Sequence, residues 1–408
     1  MDKISKKNFI LYTLDANFFS MGMFFAETTT ILPAFVAHLS GSPLMVGLLP
    51  FVLNVCFALP QFLSAYYLGY VKDRMKLVLT LGLIQRLFWL GFAVFAMFAG
   101  DELLKTLLPL FFITFIIDSI CTGFNIVPLT DLMSDTVSAK WRGRLFGARM
   151  GFGGLFAIPA GIAVSAILDK YPFPFNFGLC FLISVILKMF SLWFLSLVDL
   201  KGIAVNAHPV ITLKSHFGKV IELLKHKGYG RFIAAMLLIN FIFVTSAFYT
   251  IYAIKTFSAG GKTIGFFMLF YVLGFSLGSV AAGYLGDVYK HSSVLKLSFV
   301  LGLAGILLFI SADSVTLLYL GFFLHGCHFG TLAVSRTAAV IDLATQKERP
   351  LYLGLNNSIL ALFAGLFPVI FGILLDKQIV NYTFLFTASA ILGLAGLFVL
   401  SYKTKTLN

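Results

Sequence analysis

The chain has 408 residues, of which 59% are hydrophobic and 12% are charged, and its net charge is +13. A soluble domain is about 25% charged, and a folded globule keeps too much surface in contact with water to hide this much apolar area. A mean hydropathy of +0.96 therefore excludes a water-soluble globular protein and indicates a chain that is solvated by the lipid bilayer.

Twelve apolar stretches are each long enough to cross a membrane, since about 20 helical residues span a hydrocarbon core of about 30 Å. In chain order the predicted membrane helices cover residues 9–37, 44–70, 77–99, 104–134, 144–168, 175–198, 229–254, 262–284, 293–312, 315–342, 350–375 and 379–402. We expect an all-α integral membrane protein with twelve transmembrane helices.

The longest polar stretch lies between the sixth and the seventh predicted helix. Residues 199–228 contain five lysines and three histidines. We interpret this stretch as a linker between two pseudo-symmetric six-helix bundles, residues 1–198 and residues 229–408. About 30 residues are too few for a nucleotide-binding domain, which needs 50 or more.

Lysine and arginine are distributed unevenly between the two sides of the membrane. With a cytoplasmic N-terminus, 21 of the 30 basic residues face the cytoplasm, five face the other side and four lie within helices. Because cytoplasmic loops are enriched in Lys and Arg, we expect the linker and both termini to be cytoplasmic. The positive charge is then a topology signal, and no nucleic-acid partner is expected. The basic start leads directly into a long apolar helix, which predicts an uncleaved insertion signal.

Polar residues recur at two fixed shifts along the chain. At a shift of 207 the coincident pairs include Gly123 with Gly330 and Asp135 with Asp342, and at a shift of 214 they include Asp73 with Asp287. Apolar composition alone does not produce identities among polar loop residues. Six helices separate the copies, so the repeat is parallel and its axis lies along the membrane normal.

Two kinds of polar loop carry a recognisable pattern. A glycine followed four residues later by Asp and Arg lies between the second and third helices, with a weaker copy in the second half, and an arginine-rich loop joins the fourth and fifth helices. These loops resemble the signature loops of the major facilitator superfamily (MFS), and the resemblance covers nearly the whole chain. The residues that carry it include Gly69, Asp73, Arg74, Arg142, Arg144 and Asp287.

The resemblance implies two six-helix bundles around a central cavity, with helices 1, 4, 7 and 10 lining it, and transport by alternating access. It implies that the signature residues form a cytoplasmic gate, the alternative being basic loops that serve topology alone. We expect a monomeric transporter of the cytoplasmic membrane that moves a small solute, coupled to protons and surrounded by lipid. The alternatives are an exporter of drugs or metabolites, a transition-metal carrier and a non-transporting membrane sensor.

Ionisable groups inside the predicted helices are the candidates for substrate and proton binding, because hydrocarbon makes them costly. Asp118 lies roughly 16 Å into the fourth helix, and Asn125 follows two turns later on the same face. His325 and His328 share a face of the tenth helix, and the shift of 207 places His325 on Asp118. With Glu27 of the first helix, they suit a proton-coupled carrier, because burial favours the neutral form of acids and histidines.

The same residues admit other interpretations. Asp118 or Glu27 neutralises Arg86 without a role in transport, or each histidine is a hydrogen-bonded core residue. In a third interpretation Asp118, Cys121 and the two histidines surround a transition-metal ion. Two histidines three residues apart are a weak signal, and we expect no resident metal or cofactor.

Two further cations lie within predicted helices. Lys188 is expected to extend its ammonium group to the cytoplasmic face, because long basic side chains reach for the nearest polar region. Arg336 is near Asp342 on the tenth helix, which predicts a structural ion pair.

Motifs for enzymatic chemistry are lacking in the sequence. The fragment from Gly260 to Thr263 ends like a phosphate-binding loop, but Thr256 stands where its first glycine belongs. We find no Ser-His-Asp pattern and no zinc-protease helix motif. We expect neither an ATP-driven pump nor an enzyme.

The predicted topology can be tested with single cysteines on a background without the natural ones. We expect Asn206→Cys, in the linker, to react with a membrane-impermeant maleimide only after cells are permeabilised. Asp101→Cys, in the loop expected outside, is the control and should react in intact cells. Labelling of the linker cysteine in intact cells would show that the orientation is reversed.

Overall fold

The computed structural model describes residues 3–67, 71, 73–138, 141, 144–145, 148–149, 156–200, 227–289, 291–343 and 349–401. Regular structure in these ranges is entirely helical, and ten of their helices are long and apolar enough to cross a membrane. An all-α, multi-pass membrane fold is therefore confirmed, and the count of twelve spans stays a prediction.

The described α-helices range in length from 9 to 33 residues. In chain order they are α1 (Lys3–Phe24), α2 (Ile31–Ser40), α3 (Pro43–Tyr67), α4 (Arg74–Phe98), α5 (Leu104–Thr136), α6 (Ala157–Lys170), α7 (Phe175–Ser196), α8 (Lys227–Thr245), α9 (Tyr249–Phe257), α10 (Gly261–Tyr289), α11 (His291–Ile310), α12 (Val315–Leu343), α13 (Arg349–Asp376) and α14 (Tyr382–Ser401).

The first predicted helix, residues 9–37, is not continuous, and this part of the prediction was wrong. α1 ends at Phe24, and α2 begins at Ile31. Between them a carboxylate oxygen of Glu27 accepts hydrogen bonds from the backbone N–H groups of Thr29 and Thr30, both at 2.7 Å. A side-chain acceptor beside β-branched threonines offers the backbone an alternative to the helix, so the chain turns and starts again.

The first helix of the second half is interrupted too. α8 ends at Thr245, a 3-10 turn covers Ser246–Phe248, and α9 follows. The one hydroxyl group of this turn bonds back to the preceding helix, since Ser246 donates to the Phe243 carbonyl at 2.7 Å. Such back-bonding competes with the helical ladder. Interrupted helices at corresponding places in two halves are typical of transporters, where they lie near the binding site.

The chain forms two compact units. Unit 1 comprises Met1–Ser40 and Val52–Ile211, and unit 2 comprises Gly41–Phe51 and Thr212–Asn408, so the division falls partly inside α3. In unit 1 a buried apolar cluster includes Tyr12 of α1. In unit 2 the corresponding cluster includes Phe299 of α11. Most of the predicted linker, residues 201–226, lies outside the described residues, so its boundaries stay a prediction.

Two glycines bring neighbouring helices into backbone contact. A Cβ atom at Gly123 of α5 would meet the carbonyl group of Phe57 in α3, and one at Gly330 of α12 would meet the carbonyl group of Phe275 in α10. Small residues permit this approach in membranes, where close packing drives helix association. The two glycines are related by the shift of 207 residues, so each half contains the same kind of contact.

We expect Gly123→Ala to lower the unfolding temperature of the detergent-purified protein, because the added methyl group overlaps the α3 backbone at a cost of about 1–3 kcal/mol. Gly91→Ala is the matched control, since Gly91 lies in α4, is exposed and has open space where a Cβ would be. Equal unfolding temperatures for the two variants would contradict the close approach of α3 and α5.

Candidate functional site

Unit 1 contains a cleft of about 330 Å³, which we call the unit 1 cleft. It is lined by α1, α4, α5 and α7, together with the segment that contains Arg149. Its lining is amphipathic, because apolar groups such as Phe19 and Leu192 alternate with polar ones. The polar and charged side chains that line it are Asp15, Ser20, Gln85, Arg86, Thr122, Asn125, Thr130 and Arg149.

Asp15 is the buried acid of this cleft. One of its carboxylate oxygens lies 3.2 Å from the guanidinium of Arg149, and the other accepts a hydrogen bond of 2.7 Å from the Ser191 hydroxyl. Arg149 also donates to the backbone carbonyl of Tyr12 at 2.8 Å. The sequence-based candidates did not include Asp15. The signal was present, however, because an aspartate in an otherwise apolar membrane helix is a functional candidate by default.

Arg86 is a buried arginine held by neutral acceptors. Its guanidinium donates to the carbonyl of Lys188 at 2.6 Å and to the carbonyl of Gly82 at 2.8 Å. It also donates to the Ser191 hydroxyl at 3.3 Å, and Ser191 thereby connects Arg86 to Asp15. None of the ion pairs among the described residues includes Arg86. A direct pair with Asp118 or Glu27, as the sequence suggested, is therefore not formed.

Lys188 does not reach towards the membrane surface as predicted. Its side chain is buried, and its ammonium nitrogen lies 5.3 Å from the ring centre of Phe19 and 6.0 Å from that of Trp89. Aromatic faces attract a desolvated cation, which compensates for part of the lost hydration. Gly22 leaves the space that the lysine stem occupies, since a Cβ there would lie 2.8 Å from its Cγ.

Asp118 and Asn125 share a face of α5 as predicted from their spacing, but only Asn125 lines the unit 1 cleft. The Asn125 amide donates to the backbone carbonyl of Val78 at 3.2 Å, and its side-chain oxygen is buried without a partner among the described residues. Asp118 also has a buried oxygen without such a partner, and its charge acts on Arg86 and Lys188. Asp118 thus lies outside the lining of the cleft, and its negative charge partly offsets the positive charges of Arg86 and Lys188.

Glu27 is also absent from the lining of the unit 1 cleft. Its carboxylate is already occupied by the backbone N–H groups of Thr29 and Thr30 and by the Thr30 hydroxyl, which donates at 2.9 Å. A carboxylate at the start of a helix satisfies backbone donors that would otherwise be unpaired in hydrocarbon. In this structure Glu27 serves as the cap of α2.

Residues 231–406 match the sequence model of the Major Facilitator Superfamily. The resemblance to this superfamily is confirmed. The subfamily is not resolved, and a comparison with curated protein sequences found no significant match.

Solved transporters share the fold. A mutant of the nucleoside transporter NupG is 15% identical and aligns over 96% of this chain and 98% of its own, with a TM-score of 0.74. A D-xylose-proton symporter is 18% identical over 99% of both chains, with a TM-score of 0.69. A bacterial homologue of the iron transporter ferroportin in an inward-facing state is 15% identical over 98% of both chains, with a TM-score of 0.66. These similarities show that the chain shares the fold of these proteins.

The two histidines predicted as candidates lie in the interior of unit 2. His328 is buried, and its Nδ1 donates to the backbone carbonyl of Ser298 at 2.6 Å. His325 is buried between the rings of Tyr249 and Tyr271, whose centres lie 5.3 and 5.7 Å away. The described part of the chain contains no group of three or more His, Cys, Asp or Glu residues that could hold a metal ion.

The signature loop after α3 is tied to its own unit. Asp73 caps α4 by accepting a hydrogen bond of 2.9 Å from the backbone N–H of Lys76. Arg74 is buried and forms ion pairs with Asp131 and with Asp135, both on α5. These contacts join α4 to α5 within unit 1. A gating role for Asp73 and Arg74 stays a prediction.

The remaining signature residues make few contacts among the described residues. The guanidinium of Arg144 lies 4.5 Å from the ring centre of Trp141, in a cation–π contact. Asp287 is in the last turn of α10 and does not precede a helix as Asp73 does. Four predicted residues, or their side chains, lie outside the described residues: Gly69, Arg142, Asp287 and Asp342.

We expect Glu27→Ala to lower the unfolding temperature, because two backbone N–H groups at the start of α2 lose their acceptor, at a cost of about 1–3 kcal/mol. Glu27→Gln keeps a side-chain oxygen and should lose less. Glu102→Ala, at an exposed residue, is the control. If Glu27→Gln abolished proton-driven uptake at an unchanged unfolding temperature, Glu27 would carry the proton and would not serve mainly as a cap.

Proposed function

We propose that this chain is a secondary active transporter that moves a small solute across the cell membrane by alternating access, coupled to protons. The match to the Major Facilitator Superfamily and the similarity to solved transporters support a transport function. The observation that carries proton coupling is the buried ion pair between Asp15 and Arg149, because both residues line the unit 1 cleft.

Asp15 has the properties that a proton carrier needs. It lines a cleft, so its carboxylate can exchange protons with the solution that fills the cleft. It is also buried, and a charge in low-dielectric surroundings is stable only while its partners remain in place. Protonation removes the negative charge of Asp15 and weakens its pair with Arg149. The Arg149 guanidinium is then left without a counter-ion. One proton thereby changes the electrostatics of the cleft.

Amide and hydroxyl groups next to this pair are suited to hold the solute. Gln85, Thr122 and Asn125 line the same cleft, and the Asn125 oxygen has no partner among the described residues. A few polar groups in a mainly apolar pocket fix the orientation of a ligand. We assign solute contact to Asn125 and Arg86, and assign to Asp118 the electrostatic balance of Arg86.

Several earlier expectations belong to the same proposal. The transporter works as a monomer in the cell membrane, with both termini in the cytoplasm. Asp73, Arg74 and Arg144 act at the cytoplasmic gate. His325 and His328 are placed in the packing of unit 2, because both rings are buried and His328 is held by a backbone carbonyl.

The proposal is tested by Asp15→Asn in reconstituted vesicles. We expect loss of solute accumulation driven by a pH gradient, because the amide cannot carry a proton. Counterflow exchange, which needs no net proton movement, should persist. Asp169→Asn, at an exposed residue of α6, is the matched control and should accumulate solute normally.

Two results would contradict the proposal. Unchanged gradient-driven accumulation in Asp15→Asn would exclude Asp15 as the proton carrier. Lack of both uptake and counterflow by the wild-type protein, across anionic, neutral and cationic solutes, would favour a non-transporting sensor. Asp15→Glu retains the carboxyl group. If this variant accumulates solute, the loss in Asp15→Asn is due to the missing proton site and not to misfolding.

A further inference from the structure

The charged groups in and around the unit 1 cleft are not balanced. Three cations, Arg86, Arg149 and Lys188, lie there with two acids, Asp15 and Asp118. Arg149 is paired with Asp15. Neither Arg86 nor Lys188 takes part in an ion pair among the described residues. With both acids ionised, the group therefore carries one excess positive charge.

Such an excess is costly inside a membrane protein. An unpaired charge in low-dielectric surroundings is unfavourable by several kcal/mol. Lys188 is partly compensated by the rings of Phe19 and Trp89. Arg86 has only neutral acceptors, which orient its guanidinium without cancelling its charge. Arg86 lines the cleft without a direct ion pair among the described residues, and the single charge of Asp118 is shared between Arg86 and Lys188.

Arg86 also keeps hydrogen-bonding capacity for a ligand. A guanidinium has five N–H groups, and three of them are used by the acceptors from Gly82, Lys188 and Ser191. Two remain for a group that enters the cleft. A guanidinium held in a fixed orientation matches the planar, two-oxygen geometry of a carboxylate.

We propose that the solute is an amphipathic monocarboxylate, which places its carboxylate on Arg86 and travels with one proton carried by Asp15. The inference rests on the proposed transport function. The apolar part of the solute packs against Phe19 and Leu192 in the lining of the cleft. A volume of about 330 Å³ is at the small end of ligand pockets, which suits a compact organic acid.

The charges facing Asp15 explain why anion and proton are loaded together. They are Arg149 from the segment after α5 and Arg86 from α4; the neutral neighbours are the Tyr12 phenol of α1 itself and Ser191 of α7. When Asp15 takes up a proton, Arg149 loses its counter-ion and the cleft gains one positive charge. The anion then binds more tightly, and by linkage a bound anion strengthens the hold of Asp15 on its proton.

This coupling determines the net charge that crosses the membrane in each transport cycle. A proton joins the Asp15 carboxylate and an anion joins Arg86 on one side of the membrane, and both leave on the other side. The proton and the monoanion sum to zero charge, so transport is electroneutral. It responds to the pH gradient and not to the membrane potential.

Matched probes test the proposed solute class. Benzoate, benzamide and benzylamine have the same ring with an anionic, a neutral and a cationic group. We expect benzoate alone to raise the unfolding temperature of the purified protein and to show counterflow in vesicles beyond the passive flux in protein-free vesicles. Arg86→Gln should weaken benzoate binding on the order of 10–100-fold, the range for a hydrogen bond to a charged group. Lys105→Gln, at an exposed residue, should bind as the wild type does.

A second measurement uses only the wild-type protein, so it tests the inference even if Arg86→Gln does not fold. Vesicles with a pH gradient are set to different potassium diffusion potentials with valinomycin, and the steady-state accumulation of benzoate beyond that in protein-free vesicles should not change. Protein-dependent accumulation that follows the potential would overturn the inference, and so would counterflow of benzamide or benzylamine without benzoate. In the latter case the proposed transport function would stand. Lack of flux for all three probes would contradict the transport function as well.

Discussion

A charged side chain in hydrocarbon is stable only when the protein supplies its partners. In unit 1 this requirement ties three helices and one connecting segment together through Asp15. Its carboxylate pairs with Arg149 and accepts from Ser191, which in turn receives a hydrogen bond from Arg86. The polar connection from α1 to α7, and through Ser191 to α4, therefore depends on one carboxylate. A single proton is chemically able to change how these elements hold each other, which is what coupling requires.

The helices that carry this network are shaped by small and hydroxyl-bearing residues. Gly22 gives room to the stem of Lys188, and Gly123 lets α5 approach α3 until their backbones touch. Glu27 and the threonines beside it end one helical segment and begin another inside the first predicted helix. Close packing replaces the hydrophobic effect as the force between membrane helices, so the positions of glycine and of hydroxyl groups decide where charged groups meet.

Much of the fold could be predicted from local sequence patterns, whereas much of the unit 1 cleft could not. Apolar length predicted membrane helices, and the polar loops around Asp73 indicated the superfamily, because both signals are local. The importance of Asp15 depends on Arg149 and Ser191, which lie far away in sequence and meet it only in the folded unit. Lys188 was predicted to reach the surface because the aromatic faces that hold it cannot be seen along its own helix. The depth of a residue in the membrane can be predicted from its position along a helix. The groups that its side chain contacts depend on how the helices pack, which the local sequence does not give.

The most direct measurement of the central claim is proton uptake by the purified protein when benzoate is added in weakly buffered detergent solution. The reciprocal coupling between the proton on Asp15 and the anion on Arg86 predicts that the wild-type protein takes up protons as benzoate binds. It also predicts that Asp15→Asn binds benzoate without a change in pH. Benzoate binding to the wild-type protein with no proton uptake across the accessible pH range would contradict the claim that Asp15 links the proton to the solute.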